Sequence, residues 1–367
     1  MKLFTGGYLY KGVYYRQAQL NNRIKNTKQF YQFNFMEEFI MRKESIYEAM
    51  QNDIMNANIS EEDKNKMLKN VMRLKDQKVN IMITGATGCG KSSTINAMFD
   101  TEVVKVGVGV DPETMEIEKY ELDNLVLWDT PGLGDGKKAD NRHAKNIIKK
   151  LSEVDENGDA LIDLFLVILD GGTRDLGTSY ELINSVIIPN LGKGKENRIL
   201  VAINQADMAM KGRNWDYDKN EPNQQLVNFL EDKVRSVRDR IYEATGVRIE
   251  PIYYSAGYKE EGGEQGRPYN LSKLLYYIVK ATPSEKRVVY ANNINEDAEM
   301  WKDDDELLDY GEETRKSIFE SITEGASKGA DIGGAIGGIF GSIGETIGRG
   351  IGTVVGGVIG FIGGLFG

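Results

Sequence analysis

The sequence predicts an α/β fold in which a mostly parallel sheet lies between two layers of helices. From Val79 to about Pro283, apolar runs alternate with amphipathic ones, the pattern of strands joined by crossover helices. Strand-sized runs fall at 79–84, 115–122, 124–129, 161–169, 198–203 and 248–255. The first of them, Val79-Asn80-Ile81-Met82-Ile83-Thr84, breaks off in glycines and leads directly into a helix-forming stretch, Lys91 to Phe99. Two further helices are expected between strands. Residues 141–154 set Ala144, Ile147, Ile148, Leu151 and Val154 on one stripe, and residues 225–244 do the same with Leu226, Phe229, Leu230, Val234, Val237 and Ile241.

The break after the first strand carries chemistry. Gly85-Ala86-Thr87-Gly88-Cys89-Gly90-Lys91-Ser92 fills the G-x-x-x-x-G-K-[ST] pattern, with the required strand before it and helix after it. Glycines let the backbone curl so that successive N–H groups, through to Ser93, point inward at phosphate oxygens. The following helix adds its positive N-terminal end. Lys91 is placed to reach β- and γ-phosphates. Ser92 would give its hydroxyl to a Mg²⁺ bridging the same two groups. The competing reading, a glycine-rich turn with no ligand, is disfavoured by the flanking strand and helix.

A phosphate loop alone does not choose between ATP and GTP, so the other strand ends decide. Leu125-Val126-Leu127-Trp128-Asp129-Thr130-Pro131-Gly132 is a buried strand ending in an acid placed to hold Mg²⁺ through water; Gly132 offers its N–H to a γ-phosphate. The fifth strand ends in Asn204-Gln205-Ala206-Asp207 and the sixth in Ser255-Ala256. Here the chain resembles the P-loop GTPases of the TRAFAC class. With Asp129-Thr130-Pro131-Gly132-Leu133-Gly134-Asp135-Gly136 it is most similar to the bacterial Era-related and septin/immunity-associated branches. The resemblance covers 79–283 and implies a three-layer G domain with GTP or GDP and Mg²⁺ as ligands.

The resemblance also implies roles. Asp207 pairs with the N1 and N2 hydrogens of guanine, Asn204 braces the loop, and a backbone N–H at Ser255-Ala256 meets the guanine oxygen. Gln205 stands where the family carries lysine, whose stem lies over the base. The switch threonine that closes over Mg²⁺ falls between the first helix and second strand, and Thr114 fits best because it directly precedes a strand. Where some members carry a glutamine that orients the attacking water, this chain has Leu133. Slow hydrolysis is therefore expected, with an arginine from a partner or second copy restoring ~10³–10⁵ in rate. Arg174 and Arg142 are the candidate donors. His143 is expected to pack on a helix surface.

Composition limits the alternatives. The 367 residues are 40% hydrophobic and 28% charged with a net charge of -10, an ordinary balance for a soluble globular chain and unsuited to broad nucleic-acid affinity. The single cysteine, Cys89, excludes an internal disulfide and agrees with a reducing cytosol. Its side chain is expected to point away from the ligand. An oxidation switch is the second reading, since a helix N-terminus lowers a thiol pKa.

Outside the G domain four segments are expected. Residues 1–29 form a basic, aromatic arm without the apolar core of a signal peptide, suited to anionic lipid or RNA; the alternatives are a solvated tail, or a start codon placed too early with the true start at Met36 or Met41. Residues 30–78 form two helices packed on the central domain, the second opened by Ser60 and Asp63. Residues 284–329, with Asp303-Asp304-Asp305-Glu306, are expected to be an acidic linker or solvated helix. Residues 330–367 place Gly344, Gly348, Gly352, Gly356, Gly360 and Gly364 at a step of four, a small-residue helix face that makes sense where close packing or a membrane compensates for the glycine. The uncharged run 350–367 falls within the roughly 17–25 residues a spanning helix needs.

Three functions remain from this reading. One is a cytoplasmic GTP switch that controls a membrane-active or self-associating tail, working as a homodimer through its G domains. The others are a regulatory GTPase of ribosomes or RNA, and a nucleotide-controlled assembly protein with little turnover.

Overall fold

A computed structural model describes residues 45–99, 117–132, 137–192, 194–258, 266–332, 336–340 and 343. The basic arm 1–29, Thr114, Leu133 and the glycine row from Gly344 onward lie outside the described residues. Contacts divide the chain into two units, 1–48 and 49–367. Of the first unit, residues 45–48 are described, and within them Ser45 and Glu48 cap each other reciprocally at the start of α1 (Ile46–Asn56).

The second unit is built on a six-stranded sheet. In chain order its elements are α2 (Glu61–Lys75), β1 (Val79–Gly85), α3 (Lys91–Phe99), β2 (Glu118–Leu122), β3 (Leu125–Asp129), α4 (Lys137–Leu151), β4 (Leu164–Asp170) and α5 (Gly177–Leu182). There follow β5 (Ile199–Asn204), a small hairpin of β6 (Trp215–Asp216) and β7 (Glu221–Pro222), α6 (Gln224–Thr245), β8 (Ile252–Tyr253), α7 (Leu271–Ala281), α8 (Tyr310–Ser327) and α9 (Ile336–Ile339). The strand order is β2-β3-β1-β4-β5-β8, with every neighbouring pair parallel except β2 and β3.

Register explains the layers. Met82 pairs with Phe165, Phe165 with Ile199 and Val167 with Val201, and this row belongs to the core shared with Ile147 and Leu151 of α4 and Leu226, Leu230, Val237 and Ile241 of α6. By strand alternation Ile81, Ile83, Leu166 and Leu200 face the other way, towards α3, α7 and the 3-10 segment Ser284–Asn292. Both faces are thus covered, as a parallel sheet requires. β2 is the edge strand, and its Glu118, Lys119 and Glu121 are exposed charges that discourage further pairing.

Several expectations are corrected. The sixth strand shrinks from 248–255 to Ile252–Tyr253, because Pro251 has no N–H to give a ladder. The stripe of α4 is narrower than its pattern: Ile147 and Leu151 are buried, but Ile148 is 38% and Val154 61% exposed, the latter beyond the helix end. His143 is buried within α4, and its Nδ1 finds no partner among the described residues.

The larger correction concerns 284–329, which is neither linker nor solvated helix. α8 buries Tyr310, Thr314, Ser317, Ile318, Ser321, Ile322 and Ala326 against α2, α7 and the segment Ser284–Asn292. The three aspartates of the acidic run are engaged internally: Asp303 accepts from Asn220, Asp304 from Ser272, and Asp305 from Lys273 at 2.6 Å and Tyr310 at 2.9 Å. A run of like charge looks wet in sequence because its partners lie far away in the chain. α2 in turn ends α8. Asn70 donates to Ala326 O and Lys328 O, and Asp63, whose helix Ser60 opens as expected, accepts from Asp331 N. Beyond this point Ile339, Phe340 and Ile343 are buried, and α9 packs on α8. No helix among the described residues is long and apolar enough to cross a membrane.

Candidate nucleotide site

The carboxyl ends of β1, β3, β4 and β5 meet at one edge, the place where an open α/β sheet binds its ligands. The phosphate-binding loop leaves β1 at Gly85. Gly88 and Gly90 take φ of 79° and 91°, in the left-handed region that glycine tolerates, and a Cβ on Gly90 would collide with the Asn204 amide. Thr94 Oγ1 and Thr94 N both bond Gly90 O, so the loop runs straight into α3. Lys91 Nζ donates to Gly85 O at 3.2 Å and Ala86 O at 3.4 Å, folded over the cradle it would share with a phosphate. Ser92 and Ser93 are half-buried at the first turn.

Cys89 lies beneath the loop, 1% exposed, and burial pushes its thiol up to about 11 against the opposing pull of Lys91. The oxidation reading therefore fails: desolvation outweighs the helix end, and little thiolate exists near neutral pH.

The second acid is placed as the sequence implies. Asp129 ends β3, paired with Ile83 of β1, and Thr130 N bonds Ile83 O while Thr130 Oγ1 donates to Thr84 Oγ1 at 2.7 Å. Gly132 lies against Thr87, where a Cβ would meet the Thr87 backbone at 2.9 Å, so the two loops touch. Asp129 Oδ1 is buried with no partner among the described residues. Burial pushes the carboxyl up to about 6, Lys91 opposing and Glu118 adding to the rise. A buried carboxylate oxygen without a partner among the described residues, at the strand end next to the loop that carries Ser92, is chemistry that fits a Mg²⁺.

This arrangement predicts a trade between stability and metal binding. A carboxyl raised in the folded state favours the fold fully below about pH 4, and that contribution is lost as pH rises through about 6. Asp129→Asn should therefore stabilise the nucleotide-free protein by about 1–3 kcal/mol at pH 7.5 and by much less at pH 4.5, while removing any Mg²⁺-dependent gain. Denaturant unfolding at the two pH values checks this; an equal effect at both would refute it.

The fourth and fifth motifs come together around Asn204. Its Nδ2 donates to Cys89 O at 2.8 Å and its Oδ1 accepts from Ala256 N at 2.9 Å, so one buried side chain joins the phosphate loop to the end of the sheet. Gln205, at φ 60°, donates to Gly88 O at 2.7 Å, so the uncharged replacement keeps a tie to the loop. Ser255 Oγ donates to Asp207 Oδ1 at 2.6 Å, fixing one carboxylate oxygen. Ser255 is held in turn by two backbone bonds to Tyr269. Arg174 is exposed on the turn after β4. Arg142 lies on α4.

Two supports escaped the sequence reading. Tyr254, fully buried, shares a 2.7 Å hydrogen bond with Thr94 of α3, and Asn270, also fully buried, ties Tyr253 O to the backbone of Asp303 and Asp305. Neither belongs to a motif. The signal available was a tyrosine beside the fifth motif and an asparagine opening a helix, each ordinary alone.

A glycine-rich loop, the buried carboxyl of Asp129 and the Asn204-x-x-Asp207 loop stand at one edge of a mostly parallel sheet, the fold of a P-loop G domain. Residues 80–205 match the family described as 50S ribosome-binding GTPase. Translocase of chloroplast 125 of Physcomitrium patens is 37% identical over 103 residues, 26% of this chain and 9% of that protein. Translocase of chloroplast 34 of Pisum sativum is 31% identical over 150 residues, 39% of this chain and 46% of that protein. The chain thus spans less than half the length of either relative. Among solved structures, Toc33 from Arabidopsis thaliana in complex with Mg²⁺ and GMPPNP is 16% identical with a TM-score of 0.37, over 60% of this chain and 88% of that one.

Proposed function

We propose that this chain binds GTP and GDP with Mg²⁺, hydrolyses GTP slowly, and uses its nucleotide state to control the C-terminal glycine-rich tail at a membrane. The observation that carries the nucleotide reading is Asn204, which ties the phosphate loop to the fifth motif while Ser255 orients Asp207. In this reading the amides of residues 85–93 and Lys91 hold the phosphates, Ser92 and Asp129 hold Mg²⁺, and Thr114 and Gly132 close on the γ-phosphate. Leu133 leaves the attacking water without a side-chain partner, so an arginine such as Arg174 from a second copy would complete the site.

The tail reading is supported by the four-residue glycine step and by where the tail starts. It leaves α8 at a point held by Asn70 and Asp63 and first packs Ile339, Phe340 and Ile343 inward. The expected result is flotation of the full chain with liposomes in one nucleotide state only, and none for a chain ending at Ile343. Absence of flotation with GDP and with a non-hydrolysable GTP analogue would remove the membrane role. A ribosomal or RNA partner is the second reading, favoured by the description of the matching family.

A further inference from the structure

Lys233 belongs to none of the motifs above, yet it is the most fully engaged lysine near the site. It stands in the third turn of α6, and its ammonium donates to three carbonyls of the turn after β4: Asp170 O at 3.1 Å, Gly171 O at 2.7 Å and Thr173 O at 2.7 Å. An ammonium has three N–H donors, and all three are spent on backbone. The side chain is half-buried, and loss of water holds its pKa below the usual lysine range, with Asp170 opposing. A lysine that served solubility alone would extend into water instead.

The turn it grips rests on the first residue of the base motif. Gly171 N donates to Asn204 O at 2.7 Å, and Asp170 pairs with Asn204 where β4 and β5 end. The approach is close enough that a Cβ on Gly171 would lie 2.6 Å from Asn204 O and 3.0 Å from Gln205 O. A contact therefore runs from α6 through Lys233 and the 170–173 turn to Asn204, and from there to Cys89 and Ala256.

We propose that Lys233 is a positioning residue for guanine recognition, clamping the 170–173 turn against Asn204 and so fixing where Asp207 meets the base edge. The inference rests on reading residues 204–207 and 255–256 as the guanine edge. The bonds Asp207 makes to a base are directional and charge-assisted, so a small displacement of the loop forfeits them. The phosphates are held separately by Lys91 and the loop amides. Loss of Lys233 should thus fall on base discrimination more than on phosphate binding.

The test compares GDP with IDP, whose base lacks the 2-amino group, on the full chain with MgCl₂. Lys233→Met should weaken GDP about 10-fold and IDP about 2-fold, the scale of one lost charge-assisted hydrogen bond, and so compress the GDP/IDP ratio. Lys233→Arg, which keeps donors and charge, should restore most of the ratio. Gly171→Ala should compress it from the other side of the contact without touching α6. Equal weakening of both nucleotides in Lys233→Met, or an unchanged ratio, would overturn the proposal. If Lys233→Met fails to fold, an unchanged ratio in Gly171→Ala overturns it instead. A wild-type chain with no preference for GDP over IDP and ADP would instead sink the base-edge reading itself.

Discussion

Lys91→Ala is expected to abolish nucleotide binding in a calorimetric titration, a loss of about 100-fold or more. The ammonium now bonds two loop carbonyls, and its charge acts on the buried carboxyl of Asp129. On phosphate binding it would exchange those carbonyls for charged oxygens, and hydrogen bonds to charged groups contribute about 1.5–3 kcal/mol each. The substitution has a second effect. Lys91 restrains the rise of the Asp129 pKa, so its removal drives that carboxyl further towards the neutral form and weakens the Mg²⁺ site as well. Loss at two places makes this the larger effect when set against Ser92→Asn, which should spare GDP and spoil GTP through the metal alone. Near-normal GTP affinity in Lys91→Ala would refute the phosphate-loop assignment.

The parts of this fold that sequence reveals are those whose physics is local. The turn from Gly85 to Lys91 is legible because left-handed φ at Gly88 and Gly90 and the crowding of Gly90 by Asn204 leave no room for other residues. Strands β1, β4 and β5 are legible because both faces are buried, which demands mostly apolar runs rich in Val, Ile and Leu. The length of helix α3 follows from the same break and matches its expected span, Lys91 to Phe99.

What was misread depends on partners distant in the chain. Asp303, Asp304 and Asp305 spell a solvated run, and only the fold reveals Asn220, Ser272, Lys273 and Tyr310 waiting for them. The same holds for Asn295, whose backbone N–H and side-chain amide cap Met98 O and Ala97 O at the end of α3. Because Trp301 Nε1 closes on Asn295 O, the stretch between α7 and α8 is fastened to the helix that begins at the phosphate loop. A C-terminal segment read as an appendage is in this way a wall of the nucleotide-binding domain, and α8, which carries the tail, is joined to it without a free linker. The Cys89 thiol shows the same limit from another side: its place at a helix start was readable, its burial was not.

Asp207→Asn is expected to exchange the base preference, lowering GTP affinity by about 10³-fold or more and raising that for xanthosine triphosphate. A carboxylate presents two acceptors, matching the N1 and N2 hydrogens of guanine. An amide presents one acceptor and one donor, and xanthine carries a carbonyl at C2 where guanine carries the amino group. Which way the amide faces decides the outcome, and Ser255 decides that. Its Oγ donates to Asp207 Oδ1 at 2.6 Å, and a hydroxyl in that place needs an oxygen opposite it. The asparagine oxygen is therefore drawn towards Ser255, and its NH₂ is left to meet the xanthine C2 carbonyl. Adding Ser255→Ala should free the amide to turn and remove much of the gain for xanthosine nucleotides, while affecting the wild-type aspartate, which has two equivalent oxygens, far less. Competition titrations with GTP, XTP and ATP on the single and double variants measure this. Asp207→Asn that binds XTP no better than the wild type, while still preferring GTP, would show that Asp207 does not read the base.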